Sequence, residues 1–379
     1  MSSASTVAPS FLARVRRTLD AAGHTGNLGL LLAGVIIVFS LLNPSIFASP
    51  LNLQSIAYAV PEIALLALAI AVTMSSGGID LSIVATANLS ALGAASVSIA
   101  LMAGGVPGDA AAATGIAVAL TVGVGCGLIN GLLVAKLRIA PILATLATMT
   151  LFSGFAVAVT RGTPLYGLPD AILALGVQTV AIIPVSFWLL ILAVVVIWAV
   201  MNRTGLGLRI ILVGASPEAA DYTGIRRSRV LLSTYALSGA IAALAGILMS
   251  ARSASATAEY GSSYLLLAIT IAVLGGTNPL GGRAPIVGVG VAAIVLQAIS
   301  SGFNGLHISP YIYQILQGLI LVVVLVVEVR RGRLTKWITR MMSRPPADGA
   351  ALAASTGAAT PLKEQPTPKP LTQGSHEHD

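Results

Sequence analysis

The chain has 379 residues, 56% of them hydrophobic and only 9% charged, with a mean hydropathy of +0.92. A soluble domain carries about 25% charged residues, so this composition excludes one. With several apolar runs of roughly 18 residues or more, it predicts an all-α polytopic membrane protein. The formal charge of +8 does not point to nucleic acid, because the basic residues collect in short loops and at the two ends, the pattern of the positive-inside rule.

Residues 1–26 read as a cytoplasmic N-terminal segment. Arg14, Arg16 and Arg17 precede the first apolar run with no clean cleavage site after it, so that run is expected to be retained. Apolar spans follow near 27–43, 53–73, 81–103, 112–134, 141–160, 184–201, 231–250, 262–275, 285–303 and 311–328, about ten in all. Lys136 and Arg138 follow the fourth, Arg203 to Arg229 the sixth, and Arg330 to Arg340 the tenth. An even count between clusters puts every cluster, and both termini, in the cytoplasm. Span 262–275 is short, and dropping it would turn the basic C-terminus outward. It is kept as a short or broken helix buried among its neighbours. Residues 161–184, with Pro164, Pro169 and Pro184, read as an outside segment, 27–330 as the transmembrane domain and 331–379 as a basic, then disordered, cytoplasmic tail. The single cysteine, Cys126, excludes an internal disulfide and a multi-cysteine metal site. The scattered histidines leave no metal and no catalytic constellation in view.

Several polar features break the apolar background. Glu62 follows Pro61 inside the second span, where an ionisable group is a functional hypothesis by default. Gly77-Gly78-Ile79-Asp80-Leu81-Ser82 places a carboxylate at the edge of an apolar run. The glycines make the turn and Asp80 can cap the third helix. Gly123, Gly127 and Gly131 recur every fourth residue, a spacing that lets helices approach closely in lipid. Asn88, Asn130, Gln297, Asn304, Gln314 and Gln317 are intramembrane amides, usable as interhelical bonds or as a lining for a neutral, hydroxyl-rich solute.

The loop 202–230 contains Ser216-Pro217-Glu218-Ala219-Ala220-Asp221-Tyr222-Thr223-Gly224. Serine suits the N-cap, proline the first helical position, glutamate the first turn and glycine the stop. So short a helix is unstable alone in water. It must dock, either on its own membrane domain or on a cytoplasmic partner. Gly275-Gly276-Thr277-Asn278-Pro279-Leu280-Gly281-Gly282-Arg283 forms a second glycine-rich turn, without the lysine and hydroxyl of a phosphate loop.

Taken in order and spacing, Gly77–Ser82, the stretch Gly127–Arg138 running on to Ala144–Thr148, the loop Gly214–Gly224 and the turn Gly275–Arg283 resemble the permease subunits of ribose-type ABC sugar importers. The resemblance runs across nearly the whole membrane region. It implies the ABC importer permease fold in a bacterial inner membrane, with a second permease copy (homodimer or paired homologue), membrane lipid, a periplasmic substrate-binding protein and cytoplasmic ATPase subunits as partners. Those subunits carry ATP and Mg, and this chain itself is expected to bind no cofactor. Ser216, Pro217, Glu218, Ala219, Ala220 and Gly224 become the ATPase-coupling residues. Gly77, Gly78, Asp80, Ser82, Gly275, Gly276, Gly281 and Gly282 mark the family turns. Glu62, Asn88, Asn130, Thr145, Thr148 and Gln297 are the candidates for the substrate pathway. The solute implied is a monosaccharide or related polyol, moved by alternating access. The alternatives are a nucleoside permease of the same superfamily and a proton-coupled transporter using Glu62. The chain departs from its relatives at Val84 and at Leu265, Leu266 and Leu267, which bears on the solute rather than on the fold.

Overall fold

The structure is a computed structural model that describes residues 11–309, 311–323 and 326, with side chains from residue 25 onward. Everything below lies in the unit Met1–Leu325. The expected tail, 331–379, falls outside the described residues.

The chain opens with α1 (Phe11–Leu42) and the single turn α2 (Pro44–Phe47). It continues with α3 (Pro50–Ser75), α4 (Ile83–Ala103), α5 (Gly108–Ala135) and α6 (Pro141–Thr160). After strand β1 (Leu165–Tyr166) come α7 (Asp170–Val177), the hairpin strands β2 (Thr179–Val180) and β3 (Ile183–Pro184), and α8 (Val185–Arg203). Next are α9 (Gly205–Ala215), α10 (Pro217–Tyr222) and α11 (Arg227–Ser253). Strand β4 (Ser255–Ala256) pairs antiparallel with β1, Leu165 opposite Ala256. The described bundle closes with α12 (Tyr264–Leu274), α13 (Ile286–Gly305) and α14 (Tyr311–Val323). Among the described residues, eight helices are long and apolar enough to cross a membrane, and the apolar helices α12 and α14 are shorter. These match the expected spans, with 262–275 short as its apolar content required.

Helix α3 is the axis of the bundle. Ser49 caps it by accepting from the Asn52 N–H at 3.2 Å, and Pro50 occupies its first position. Every residue from Ala59 to Ser75 is buried, as expected for a helix apolar on all faces. Helices α8, α11, α12 and α13 pack around it. The broadest contact in the bundle joins α5 to α11, and it is a backbone seam. A Cβ at Gly127 would lie on the Tyr235 carbonyl, one at Gly123 on that of Gly239, and one at Gly131 3.0 Å from the Leu232 Cα. In lipid such close approach maximises dispersion contact between helices.

Two regions differ from expectation. Residues 161–184, expected only as an outside segment, hold a helix, α7, with Pro169 at its cap and Asp170 in its first turn. The loop 202–230 holds two helices rather than one. Thr204 caps α9 by accepting from the Gly207 N–H at 3.3 Å, and α10 follows after Ser216.

Candidate functional site

A cavity of about 600 Å³ opens inside the bundle, within the size range of small-molecule sites. Helix α3 supplies Glu62, α13 supplies Gln297, α14 supplies Gln314 and Gln317, and the segment leading into α12 supplies Ser263. Arg252, in the last turn of α11, completes the lining and donates to Glu62. The pair is asymmetric. The Glu62 side chain is 4% exposed and that of Arg252 44% exposed. The cavity therefore offers amides, hydroxyls and a self-compensated ion pair with no net charge. Arg252 also lines a second, more open cavity of about 460 Å³ beside Tyr58 and Gly176, so the ion pair stands between the two.

A separate polar cluster surrounds Asp80, which is buried. Its Oδ1 accepts from the Ser82 N–H at 2.9 Å and the Ser82 hydroxyl at 2.7 Å. The Asn130 amide donates to Ser82 Oγ at 2.7 Å and approaches both Asp80 oxygens at 3.4 Å. Thr148 donates to Asn130 Oδ1 at 2.6 Å, and Thr145 Oγ1 accepts from the Leu81 N–H at 3.1 Å. Asp80 has no cationic partner among the described residues. Burial pushes its carboxyl above the ordinary aspartate range, opposed by the bonds from Ser82 and Asn130. The expectation that Asp80 caps the third span needs correcting. Helix α4 starts at Ile83 with Ser82 in the cap position, and Asp80 instead ties the turn to α5 through Asn130. Asn88 is committed elsewhere, donating to the carbonyls of Ala258 and Tyr260 at 2.9 Å each. Of the six pathway candidates, the cavity brings together Glu62 and Gln297. Asn130, Thr145 and Thr148 gather around Asp80.

The glycine-rich turns meet in a third place. The Gly282 N–H donates to the Ser75 carbonyl at 3.0 Å, joining the end of α3 to the turn before α13. Gly214, near the end of α9, fits between them. A Cβ there would fall on the Ser75 carbonyl and 2.8 Å from the Gly282 nitrogen. Gly281, at φ +96°, has no room for a Cβ against the Gly214 carbonyl. Behind it Gly275 ends α12, where a Cβ would lie 2.6 Å from the Val289 Cα of α13. Thus α3, α9 and the link between α12 and α13 touch backbone to backbone.

Three residues after Gly214, α10 begins. Ser216 Oγ accepts from the Ala219 N–H at 3.3 Å, Pro217 occupies the first position, and Gly224 follows the helix at φ +76°. Ala220 docks α10 in the main core, while Glu218 and Ala219 are exposed and Tyr222 is 93% exposed. Of the two docking readings, seating on its own membrane domain is seen through Ala220, and the opposite face of the helix is exposed.

The residue that sequence reasoning missed is Arg252. A cation in the last turn of a span reads as a boundary marker. The available signal was its position at the opposite end of α11 from Arg226–Arg229, where the positive-inside pattern calls for few cations.

Residues 52–325 match the family described as branched-chain amino acid transport system / permease component. The chain is 34% identical over 300 residues to the ribose import permease protein RbsC of Bacillus subtilis, covering 79% of this chain and 90% of that protein. It is 31% identical over 325 residues to the autoinducer 2 import system permease protein LsrD of Photorhabdus temperata, covering 83% and 94%. Against the LsrD protein of Escherichia coli strain K12 it is 30% identical over 330 residues, covering 84% and 96%. No solved structure matches the chain.

Proposed function

The chain belongs to this family of transport permeases and is a multi-pass protein of the bacterial inner membrane; from that premise we propose that it is the membrane-spanning subunit of an ATP-driven importer for a monosaccharide or related polyol. The relatives named for ribose and autoinducer 2 import support this choice of solute.

One observation carries the mechanism. Three of the helices that meet α9 at the glycine junction, α3, α12 and α13, also line the cavity. From Ser75 back to Glu62, at 1.5 Å per residue, is about 20 Å, and from Ile286 on to Gln297 is about 16 Å. A displacement of α10 passes through Gly214 into all three helices, because backbone contacts without side chains do not absorb it. We place the basic face in the cytoplasm, where partner ATPase subunits engage Glu218, Ala219 and Tyr222. ATP and Mg belong to those partners. Inward and outward states then differ in which end of the cavity is closed.

The lining favours a neutral, hydroxyl-rich solute. A charged one would sit against an ion pair that is already balanced and would stay uncompensated. The same pairing argues against proton coupling, since Glu62 already serves Arg252.

The test is uptake by the full importer, with its ATPase and binding protein, in proteoliposomes. Labelled pentoses and hexoses should accumulate only with ATP, and Glu218→Arg should abolish uptake and ATPase pulldown while the permease stays folded. Uptake driven by a pH gradient without the ATPase would reject the assignment.

A further inference from the structure

The face that carries Lys136 and Arg138 also holds a pocket of about 1120 Å³, separate from the central cavity. The ends of the spans wall it: the Gly77-Gly78 turn after α3, the end of α5, the link to α6, and the connection from α10 into α11. Lys136, Arg138, Arg226, Arg227 and Arg229 line it, against one carboxylate, Asp221. Among the described residues the only ion pair is Arg252 with Glu62, so none of these five cations has an acidic partner. We propose that this pocket binds the phosphodiester headgroup of an anionic phospholipid.

Four independent observations support the proposal. First, the first turn of α11 holds no acidic residue and begins beside Arg226, Arg227 and Arg229. Positive charge at a helix N-terminus is unfavourable, because the dipole and the free N–H groups there attract anions. The positive-inside rule explains the sign of these residues but not their convergence on one pocket. Second, Tyr235 lines the floor, wholly buried, and its hydroxyl has no hydrogen-bond partner among the described residues. An unmatched buried donor calls for an acceptor. Third, the walls are mixed, with Val134, Ile139, Leu231 and Leu232 beside the cations. Fourth, the apolar surface continues past the pocket, Leu137 and Leu143 being exposed on the link to α6 and on its first turn. A lipid uses both the charge and the apolar exit, whereas a free anion or an acidic peptide uses only the charge. Basic pockets between spans at the cytoplasmic surface bind such headgroups. Because Asp221 belongs to α10 and Arg227 and Arg229 to the first turn of α11, a bound headgroup braces the α10–α11 connection.

The experiment is native mass spectrometry of the full-length chain, released from nanodiscs of nine parts phosphatidylcholine to one part phosphatidylglycerol. Phosphatidylglycerol should be retained selectively. Removing one cation should weaken retention about fivefold, so Lys136→Gln with Arg229→Gln should weaken it roughly 25-fold. The charge-conserving pair Lys136→Arg with Arg229→Lys controls for folding and should keep the lipid. Equal retention of both lipids overturns the proposal. Displacement of phosphatidylglycerol by millimolar inorganic phosphate also overturns it, since the site would then be one for a free anion. So does a double Gln variant that keeps the lipid but loses its ATPase subunits, which would assign the pocket to an acidic protein segment.

Discussion

Removing Arg252 and removing Glu62 should have unequal effects, although each breaks the same ion pair. Arg252→Gln strands a carboxylate whose side chain is only 4% exposed, with no other cation among the described residues to meet it. Stranding a fully buried charge costs about 3–5 kcal/mol. Arg252 is 44% exposed, so solvent already screens part of the pair, and the expected loss is about 2–3 kcal/mol. Glu62→Gln leaves a guanidinium that can turn toward the open second cavity, and costs under about 1 kcal/mol. The double variant leaves two neutral amides in hydrogen-bonding reach and should lie near the Glu62→Gln level. The coupling energy from the double-mutant cycle is then about 2 kcal/mol. Thermal unfolding in nanodiscs should show Arg252→Gln lower by roughly 5 °C, at the small shift per kcal/mol expected of a long chain, and the other two near wild type. Equal losses from both single variants, or a double variant as unstable as their sum, would refute the reasoning.

Other expected outcomes concern the glycine contacts and the Asp80 cluster. Gly214→Val pushes α9 off the Ser75 and Gly282 backbones, an overpacking cost of about 1–3 kcal/mol. Uptake should fall at least tenfold by order of magnitude while ATP hydrolysis by the assembled importer continues. A parallel fall in both would show a folding defect instead of lost transmission. Gly127→Val collides with the Tyr235 carbonyl and should sharply lower folded yield, whereas Gly125→Val, with nothing within 4 Å of its Cβ position, should express normally. Asp80→Ala leaves the Ser82 N–H and the Asn130 amide short of an acceptor, lowering stability by about 2–4 kcal/mol without changing the ranking of sugars in a competition uptake assay.

The spans were legible because their apolar runs are long and their charges fall between them. Glu62 stood out for the same reason, as a charge within such a run. Arg252 did not, because at a helix end one arginine carries no periodic signal, and only the fold sets it against Glu62. Asn88 and Asn130 lie on apolar helices just as Gln297 does, and sequence assigns no direction to an amide. In the fold Asn130 turns to Ser82 and Asn88 to the carbonyls of Ala258 and Tyr260. The glycine pairs were readable as turns. That Gly214 fits between two of them was not, since the contact joins residues more than sixty positions apart. Helix α7 was hidden by the prolines around it, one of which stands at its cap.

Helix α12 has eleven residues. At 1.5 Å each it is about 16 Å long, against roughly 30 Å of hydrocarbon. Its first turn lies at the cavity and its last at the glycine junction. On the proposed import route, a solute held beside Tyr264 has only the length of α12 and one turn left to pass. So thin a barrier needs no long channel to breach it. On that route a small tilt of α12 would open a path, and loosening the Gly275 contact with Val289 is expected to register first as leak of unbound sugar.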